Sequence, residues 1–207
     1  MFRVNALSLL LLFSTFTVEA ANSIHDLVVY NDLERVSRYI KEGGEVNQAN
    51  RYDERPLHLA RTPEMLKLLI KGGAEVNIEN HFGDSPLLQA VYKGDHGLAE
   101  LLIEHGANIN HKNRFGDTPL REAVSRDLIV MTQILIQHGA NLDAQSRFGE
   151  TVLHMAVRKG NPMMVRELMQ SGATANIQNE DGYTPLDLAV GGKMKSELKA
   201  GSRQRVK

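Results

Sequence analysis

The feature that most constrains this chain is a short pattern that returns five times along it. A glycine is followed four residues later by Asn or Asp, and successive copies start 30, 33, 33 and 33 residues apart. The copies are Gly43 to Asn47, Gly73 to Asn77, Gly106 to Asn110, Gly139 to Asp143 and Gly172 to Asn176. A fixed period of this length is typical of a repeat protein, in which each unit buries its apolar side against its neighbours.

A second pattern repeats in the same phase. The triplets are Arg55-Pro56-Leu57, Ser85-Pro86-Leu87, Thr118-Pro119-Leu120, Thr151-Val152-Leu153 and Thr184-Pro185-Leu186, each followed three residues later by alanine. A hydroxyl side chain can cap a helix that starts with proline, because proline has no N–H to leave unpaired. Each unit is therefore predicted to be a turn, a short helix, a loop and a second helix with an apolar face.

The two patterns together resemble the ankyrin repeat. The best copy runs from Asp117-Thr118-Pro119-Leu120 through Ala123 to His138-Gly139-Ala140-Asn141. The resemblance covers about residues 23–200 and implies an all-α repeat solenoid. In such a fold, helix pairs stack into a curved array and β-hairpin loops, here called fingers, project from it.

We divide the chain into a signal peptide at 1–20, a repeat domain at 21–200 and a disordered tail at 201–207. The domain contains six units: an N-terminal cap at 23–50, internal units at 51–80, 81–113, 114–146 and 147–179, and a C-terminal cap at 180–200. The second unit is three residues short, and Thr62 is predicted to cap a restarted helix there. In the fourth unit, Asp127 stands where a helix-ending glycine would be expected.

Residues 1–20 have the layout of a secretory signal peptide. Arg3 makes the start positive, residues 6–16 form an apolar run, and Val18 and Ala20 suit a cleavage position. A membrane-spanning helix needs about 20 apolar residues, so this run is too short to be one. We expect cleavage after Ala20 and a periplasmic or secreted product. The alternative is an ordinary apolar helix at the N-terminus.

Composition excludes several classes of function. The formal net charge of −1 gives no electrostatic case for binding nucleic acid, and the absence of cysteine removes disulfide scaffolds, Cys-ligated zinc and thiol nucleophiles. The eight histidines form no His-Glu-x-x-His motif. His58 and His154 occupy repeat positions where the imidazole is expected to bond to the backbone. We therefore predict no enzyme activity, no metal, no cofactor and no membrane insertion.

The first candidate binding surface lies at the finger tips, where an aromatic residue follows a basic one in four successive units. The residues are Arg51, Tyr52, His81, Phe82, Arg114, Phe115, Arg147 and Phe148. Exposed aromatics beside arginine are typical anchors of protein interfaces. The alternative is that each ring packs on the next finger and each arginine pairs with the acid that follows it. The sixth unit breaks the pattern with Glu180-Asp181-Gly182.

The second candidate surface, here called the helix stripe, follows the first helices of the units. Its residues are Arg61, Tyr92, Lys93, Arg121, Arg126, Arg158 and Lys159. Because the chain as a whole is near neutral, we expect the acids to concentrate elsewhere, as at Glu100, Glu104 and Glu167 on second helices. A basic groove predicts a partner with an acidic surface. The alternative is an ordinary solvated face.

The leading function hypothesis is a non-catalytic periplasmic module that binds a protein partner through its fingers and groove. It would act as an immunity or inhibitor protein against a secreted toxin or lipase, or as an accessory of a periplasmic enzyme. The alternative is a secreted effector that binds a host protein. We expect the free chain to be a monomer.

Overall fold

The computed structural model describes residues 23–204 of the chain. The predicted signal peptide and the last three residues of the predicted tail lie outside this range. The described residues form eleven helices and contain no strand. The all-α fold class is therefore confirmed. Contacts divide the chain into two compact units, one ending at Glu75 and the other starting at Val76.

The first unit contains four helices: α1 (Ile24–Val29), α2 (Leu33–Lys41), α3 (Pro56–Leu59) and α4 (Pro63–Lys71). Helix α1 packs against α2 and α3, and α4 packs against α2 and α3. Helix α3 is a single turn because this repeat is three residues short. The predicted restart is confirmed, since the Thr62 hydroxyl accepts the Met65 N–H at 3.2 Å.

The second unit contains seven helices: α5 (Pro86–Lys93), α6 (His96–Glu104), α7 (Pro119–Ser125), α8 (Ile129–Gln137), α9 (Val152–Arg158), α10 (Pro162–Gln170) and α11 (Gly192–Gln204). The first helices α5, α7 and α9 pack on one another in order, and each also packs against the second helix of its own repeat. The core between them consists of fully buried leucines from both helices of each repeat, such as Leu120 and Leu135.

Local bonds at the helix ends explain why the predicted elements form. The hydroxyls of Ser85 and Thr118 accept the Leu88 and Arg121 N–H groups at 3.3 and 3.1 Å. The predicted role of the buried histidines is also confirmed. The Arg55 N–H donates to His58 Nδ1 at 3.0 Å, and the Thr151 N–H donates to His154 Nδ1 at 3.1 Å.

Asp127 takes the backbone conformation that its position in the repeat requires. Its φ of +56° is in the left-handed region, where Gly94 and Gly160 have φ of +67° and +69° at the ends of α5 and α9. A side chain in this region is uncommon, although Asp and Asn tolerate it best. The turn between α7 and α8 therefore keeps its conformation although aspartate stands where the neighbouring repeats have glycine.

The C-terminal part differs from the sequence prediction in two ways. Residues 185–188 form turns instead of a first helix, with the Thr184 hydroxyl donating to the Asp187 carboxylate at 2.6 Å. Helix α11 continues through residues 201–204, which the sequence assigned to the tail. Met194 and Leu198 are buried, and α11 packs against α10. These two residues lie four apart on one helix face, so they dock the helix although Gly201 weakens it.

Candidate functional site

The fingers are tight loops rather than strands. We number them along the chain as residues 50–54, 80–84, 113–117, 146–150 and 179–183. In the second finger, the Asn80 N–H donates to the Asp84 carbonyl at 3.1 Å, and the Gly83 N–H donates to the Asn80 carbonyl at 2.9 Å. The other four fingers are closed by the same pair of bonds. Two bonds make a loop but no ladder, which explains why the described chain contains no β-hairpin strands.

A side chain at the start of each finger holds the turn in place. The Asn113 Oδ1 atom accepts the N–H groups of Phe115 and Asp117 at 3.0 and 2.9 Å. Gly116, between Phe115 and Asp117, has a φ of +83°, which a residue with a side chain adopts only under strain. This geometry directs Phe115 to the tip of the loop. The phenylalanine is 64% exposed.

The first finger belongs to the first unit and has the same build. Asp53, with a φ of +60°, takes the place of glycine. The Arg51 guanidinium lies 4.7 Å from the centre of the Tyr52 ring, which makes a cation–π contact. Tyr52 is 59% exposed, so the finger presents a ring and a cation together.

The tip aromatics of the second unit are only partly packed on one another. Phe82 and Phe115 stack with ring centroids 6.4 Å apart and an interplanar angle of 28°. Phe148 makes no ring contact within the described chain, and the Arg147 guanidinium lies 4.9 Å from its ring centre. Phe82 and Phe148 remain 53% and 56% exposed. The packing alternative therefore applies to the Phe82–Phe115 pair and not to the fourth finger.

The finger arginines do not pair with the acids that follow them. Asp117 accepts the Arg121 Nε–H at 3.1 Å, and Glu150 pairs with Arg158, so both acids turn back towards the helices. No ion pair joins Arg114 or Arg147 to any acid between residues 23 and 204. The charges of these two arginines are consequently available at the exposed edge of the loops.

The helix stripe is different, because its cations in the second unit have acidic partners close by. Besides the Arg121 and Arg158 pairs, Arg126 pairs with Glu122, and Lys159 pairs with Asp127 at 3.0 Å. Lys93, the remaining cation of the stripe in the second unit, also interacts with another residue. Arg61, the stripe residue of the first unit, is exposed. Contrary to expectation, acids are therefore interleaved with the stripe. They balance the charges of Arg121, Arg126, Arg158 and Lys159.

Tyr92 has a structural place within this stripe. Burial, helped by the charges of Asp84, Glu122 and Asp117, raises the pKa of its phenol to about 12. Arg126 lies over the ring at 5.4 Å from its centre and donates to the Tyr92 carbonyl at 3.1 Å. The phenol stays neutral across the physiological pH range and packs two repeats together.

Two features were missed by sequence reasoning. Tyr183 in the fifth finger is 52% exposed, but it stands after the turn glycine and so breaks the pattern that located the other rings. The first unit also has an open cavity of about 530 Å³ beside the first finger. Its lining includes His25, whose Nε2–H donates to the carbonyls of Gln48 and Glu54 at 2.9 and 3.2 Å. No sequence signal marks this cavity, since its walls come from separate segments.

Between residues 23 and 204, no three His, Asp or Glu side chains come together as metal ligands. None of the helices in the same range combines the length and the apolar character needed to cross a bilayer.

Two family models, described as ankyrin repeats in three copies and in many copies, match the chain. The first matches residues 24–113 and 60–146, and the second matches residues 135–189. Together the matches cover well over half of the sequence. A comparison with curated proteins finds no significant match.

Two solved structures are similar over most of the chain. The ankyrin repeat domain of Bcl-3, described as a unique member of the IkappaB protein family, is 28% identical with a TM-score of 0.70, over 85% of this chain and 97% of that one. An ankyrin repeat domain from Acinetobacter baumannii is 25% identical with a TM-score of 0.79, over 86% and 97%. With the repeat sequence, the stacked helix pairs and the family matches in agreement, this chain belongs to the ankyrin repeat family.

Proposed function

We propose that this protein is a non-catalytic binding module that recognises an acidic surface of one protein partner through its finger tips. Ankyrin repeats are generally protein–protein interaction modules, and ankyrin repeat domains are typically non-catalytic. The observation that carries the proposal is the combination, on the third and fourth fingers, of exposed rings with arginines that have no ion pair in the described chain. Phenylalanine and arginine are both enriched at protein interfaces relative to the rest of the surface.

The finger tips are favoured over the helix stripe as the contact surface. Arg114 and Arg147 have no acid to neutralise them, whereas Arg121 and Arg158 are already bonded to Asp117 and Glu150. A partner carboxylate that approached the stripe would have to displace an existing acid, which adds a cost to binding. The acidic partner predicted from the sequence is retained, but its contact moves from the groove to the tips.

We also propose export, with cleavage after Ala20 and action in the periplasm or outside the cell. The motivating feature is the charged start, apolar run and small-residue box of residues 1–20. Within that compartment, the module would block a secreted toxin or lipase, or support a periplasmic enzyme. A secreted effector that binds a host protein is the second candidate, and its export beyond the periplasm would distinguish it.

The proposed surface can be tested with matched baits. Wild-type protein, the Phe115→Ala/Phe148→Ala variant and a Glu100→Ala/Glu104→Ala control are immobilised and exposed to periplasmic extract. We expect a bound protein that is retained by wild type and control, is lost from the finger variant, and has an acidic surface. Equal capture of the same proteins by all three baits would contradict binding at the tips.

The proposed export of the protein is tested by a separate measurement. N-terminal sequencing of protein purified from cell fractions should begin Ala-Asn-Ser in the periplasmic fraction or the medium. An intact Met1 on protein from the cytoplasm would overturn the export proposal without affecting the binding surface.

A further inference from the structure

We propose that the junction between the third and fourth fingers is the anchor point for the partner. The occupant is an extended acidic segment of the partner protein that places an aromatic side chain between Phe115 and Phe148. This inference rests on the proposed function and narrows it to one junction within the second unit. The starting observation is that this junction is open, while the junctions on either side of it are closed.

Backbone bonds close the two neighbouring junctions. The Arg114 N–H donates to the Phe82 carbonyl at 3.1 Å, which joins the second and third fingers. The Glu180 N–H donates to the Phe148 carbonyl at 3.1 Å, which joins the fourth and fifth. The equivalent bond of the third junction would link the Arg147 N–H to the Phe115 carbonyl. No such bond is present among the described residues.

The spacing of the fingers differs in the same way. A Cβ atom built on Gly83 lies 3.0 Å from the Arg114 nitrogen, and one built on Gly149 lies 2.8 Å from the Glu180 nitrogen. A Cβ atom built on Gly116 meets no atom within 4 Å. The third and fourth fingers therefore stand farther apart at the turn than their neighbours do.

Two residue differences distinguish the open junction from the closed junction between the second and third fingers. His111 Nε2–H donates to the Gly83 carbonyl at 2.7 Å, and Asn113 Nδ2–H donates to Asp84 Oδ1 at 2.9 Å. Both bonds hold the second and third fingers together. One repeat later the corresponding residues are Ala144 and Ser146. Alanine has no donor, and the serine hydroxyl instead accepts the Phe148 and Glu150 N–H groups of its own loop at 3.2 and 3.3 Å.

Other side chains do not replace the missing bonds. Gln145 Nε2–H donates to the Gly149 and Gln178 carbonyls at 2.8 and 3.3 Å, which supports the fourth and fifth fingers instead. The open junction is crossed by a long bond from Arg121 Nη1 to the Glu150 carbonyl at 3.4 Å, which starts from helix α7. The tip side of the junction, between Phe115 and Arg147, is left without such a bridge.

The chemistry of the junction suggests what enters it. The Phe115 carbonyl can accept, and the Arg147 N–H can donate, so the main chain of an extended segment can bond to both. Phe115 stacks on Phe82 with one face, and Phe148 has no ring partner in the described chain, so each ring offers a face to an aromatic side chain of the segment. Arg114 and Arg147 flank the space without ion pairs and favour carboxylates beside that aromatic residue.

Amide hydrogen exchange of the mature chain tests the open junction directly. We expect the Arg147 N–H to exchange at least about tenfold faster than the Arg114 and Glu180 N–H groups, because only the last two are bonded to a neighbouring finger. Equal protection of all three amides would show a closed junction and overturn the proposal.

A peptide titration tests the occupant. The probe is acetyl-Asp-Glu-Phe-Glu-Asp-amide, compared with versions that carry Ala in place of Phe or Lys in place of every acid. We expect the first peptide to shift the backbone NMR signals of Phe115, Arg147 and Phe148 more than those of Phe82. The Ala and Lys peptides should bind at least about fivefold more weakly. Equal affinity of the three peptides would overturn the proposed occupant.

A closing variant separates this inference from the proposed function. Ala144→His with Ser146→Asn introduces the two donors that join the second and third fingers, and it should protect the Arg147 N–H and weaken binding of the acidic peptide at least about tenfold. The mirror variant, His111→Ala, removes a donor that joins the second and third fingers, so it should expose the Arg114 N–H and leave the binding at Arg147 intact.

The closing variant separates three outcomes. If it loses peptide binding while NMR shows that its finger loops are still folded, the junction is supported as the anchor. Unchanged binding by the closed variant, with shifts spread over all fingers, overturns the junction but keeps the finger tips as the surface. Absence of any finger shift with the acidic peptide, together with capture of a partner by the finger-variant bait, overturns both.

Discussion

The finger tips and the helix stripe of the second unit contain the same types of side chain and use them differently. Along the stripe, Arg121, Arg126, Arg158 and Lys159 are each bonded to an acid of the same or the neighbouring repeat. At the tips, Arg147 lies over the Phe148 ring, and neither it nor Arg114 has an ion pair in the described chain. Two finger acids, Asp117 and Glu150, turn towards the helices and pair with Arg121 and Arg158 of the stripe.

This difference shows that a row of basic residues is not in itself a basic surface. The stripe arginines hold loops and helices together, so their charge is largely cancelled within the protein. The tip arginines keep their charge available beside an exposed ring, which is the arrangement that a partner can use. Mutations can separate the structural role from the binding role.

The largest expected effect tests whether both regions depend on one packed core. Leu135→Ala removes a fully buried side chain from α8 and should lower the free energy of unfolding by about 2–5 kcal/mol. Because adjacent repeats share their core, the ion pairs of the stripe and the folded loops of the fingers should be lost in a single transition as denaturant is added. Lys199→Ala, at an exposed position of α11, is the control and should change stability very little. Comparable losses for the two variants would contradict the shared core.

The next effect compares an arginine from each region. The Glu150 side chain is 8% exposed and depends on Arg158, so Arg158→Ala leaves a buried carboxylate without its partner. We expect a loss of about 1–3 kcal/mol in the free energy of unfolding. Arg147→Ala removes an exposed cation and should stay within about 0.5 kcal/mol of wild type. Chemical denaturation measures both, and a larger loss for Arg147→Ala would reverse the comparison.

The third prediction concerns affinity for the partner protein that is captured from periplasmic extract. Phe115→Ala with Phe148→Ala should weaken its affinity at least about tenfold, the equivalent of 1.4 kcal/mol, because buried aromatic anchors carry much of an interface's energy. Arg126→Gln in the stripe and Glu100→Ala with Glu104→Ala on α6 should bind as wild type does. Calorimetric titration gives the constants, and circular dichroism must first show that the double variant is folded. A folded double variant with wild-type affinity would remove the tips from the site.

The smallest expected effect concerns pH and the charge of the stripe. Burial alone would raise the pKa of Asp127, but hydrogen bonds from Asn161 and Lys159 and the charge of Lys159 outweigh it and lower the pKa below 3.8. A carboxyl whose pKa is lowered by folding adds stability above its unfolded pKa and loses it as the pH falls through the folded value.

Asp127→Asn keeps the left-handed turn and removes this charge. We expect it to cost about a few tenths of a kcal/mol at pH 7, because the pair is partly exposed, and to flatten the stability curve below about pH 4. Thermal melts from pH 7 to pH 3 measure the difference. A steeper acid loss in the variant than in wild type would contradict the assignment.

Much of the fold was predictable because short-range bonds form it. Bonds between residues a few positions apart form the caps at Ser85, Thr118 and Thr62 and the contacts in which the His58 and His154 Nδ1 atoms accept a backbone N–H. The left-handed turn at Asp127 is equally local. The rings of Tyr52, Phe82, Phe115 and Phe148 were predictable from the sequence because each stands just before the same repeated turn. The sixth unit was predicted less well, since the turn at 185–188 and the extension of α11 depend on how this last repeat packs.

What the sequence by itself determined is the period, the helix pairs, the turns and the residue types at the tips, because each depends on neighbours within one repeat. The tertiary structure decided which cations are neutralised and which finger junction stays open. Lys159 meets Asp127 and Arg126 meets Tyr92 only after repeats have stacked. Whether two fingers touch depends on distances between groups about one repeat apart, set by packing and side-chain conformation, and local propensity does not specify them.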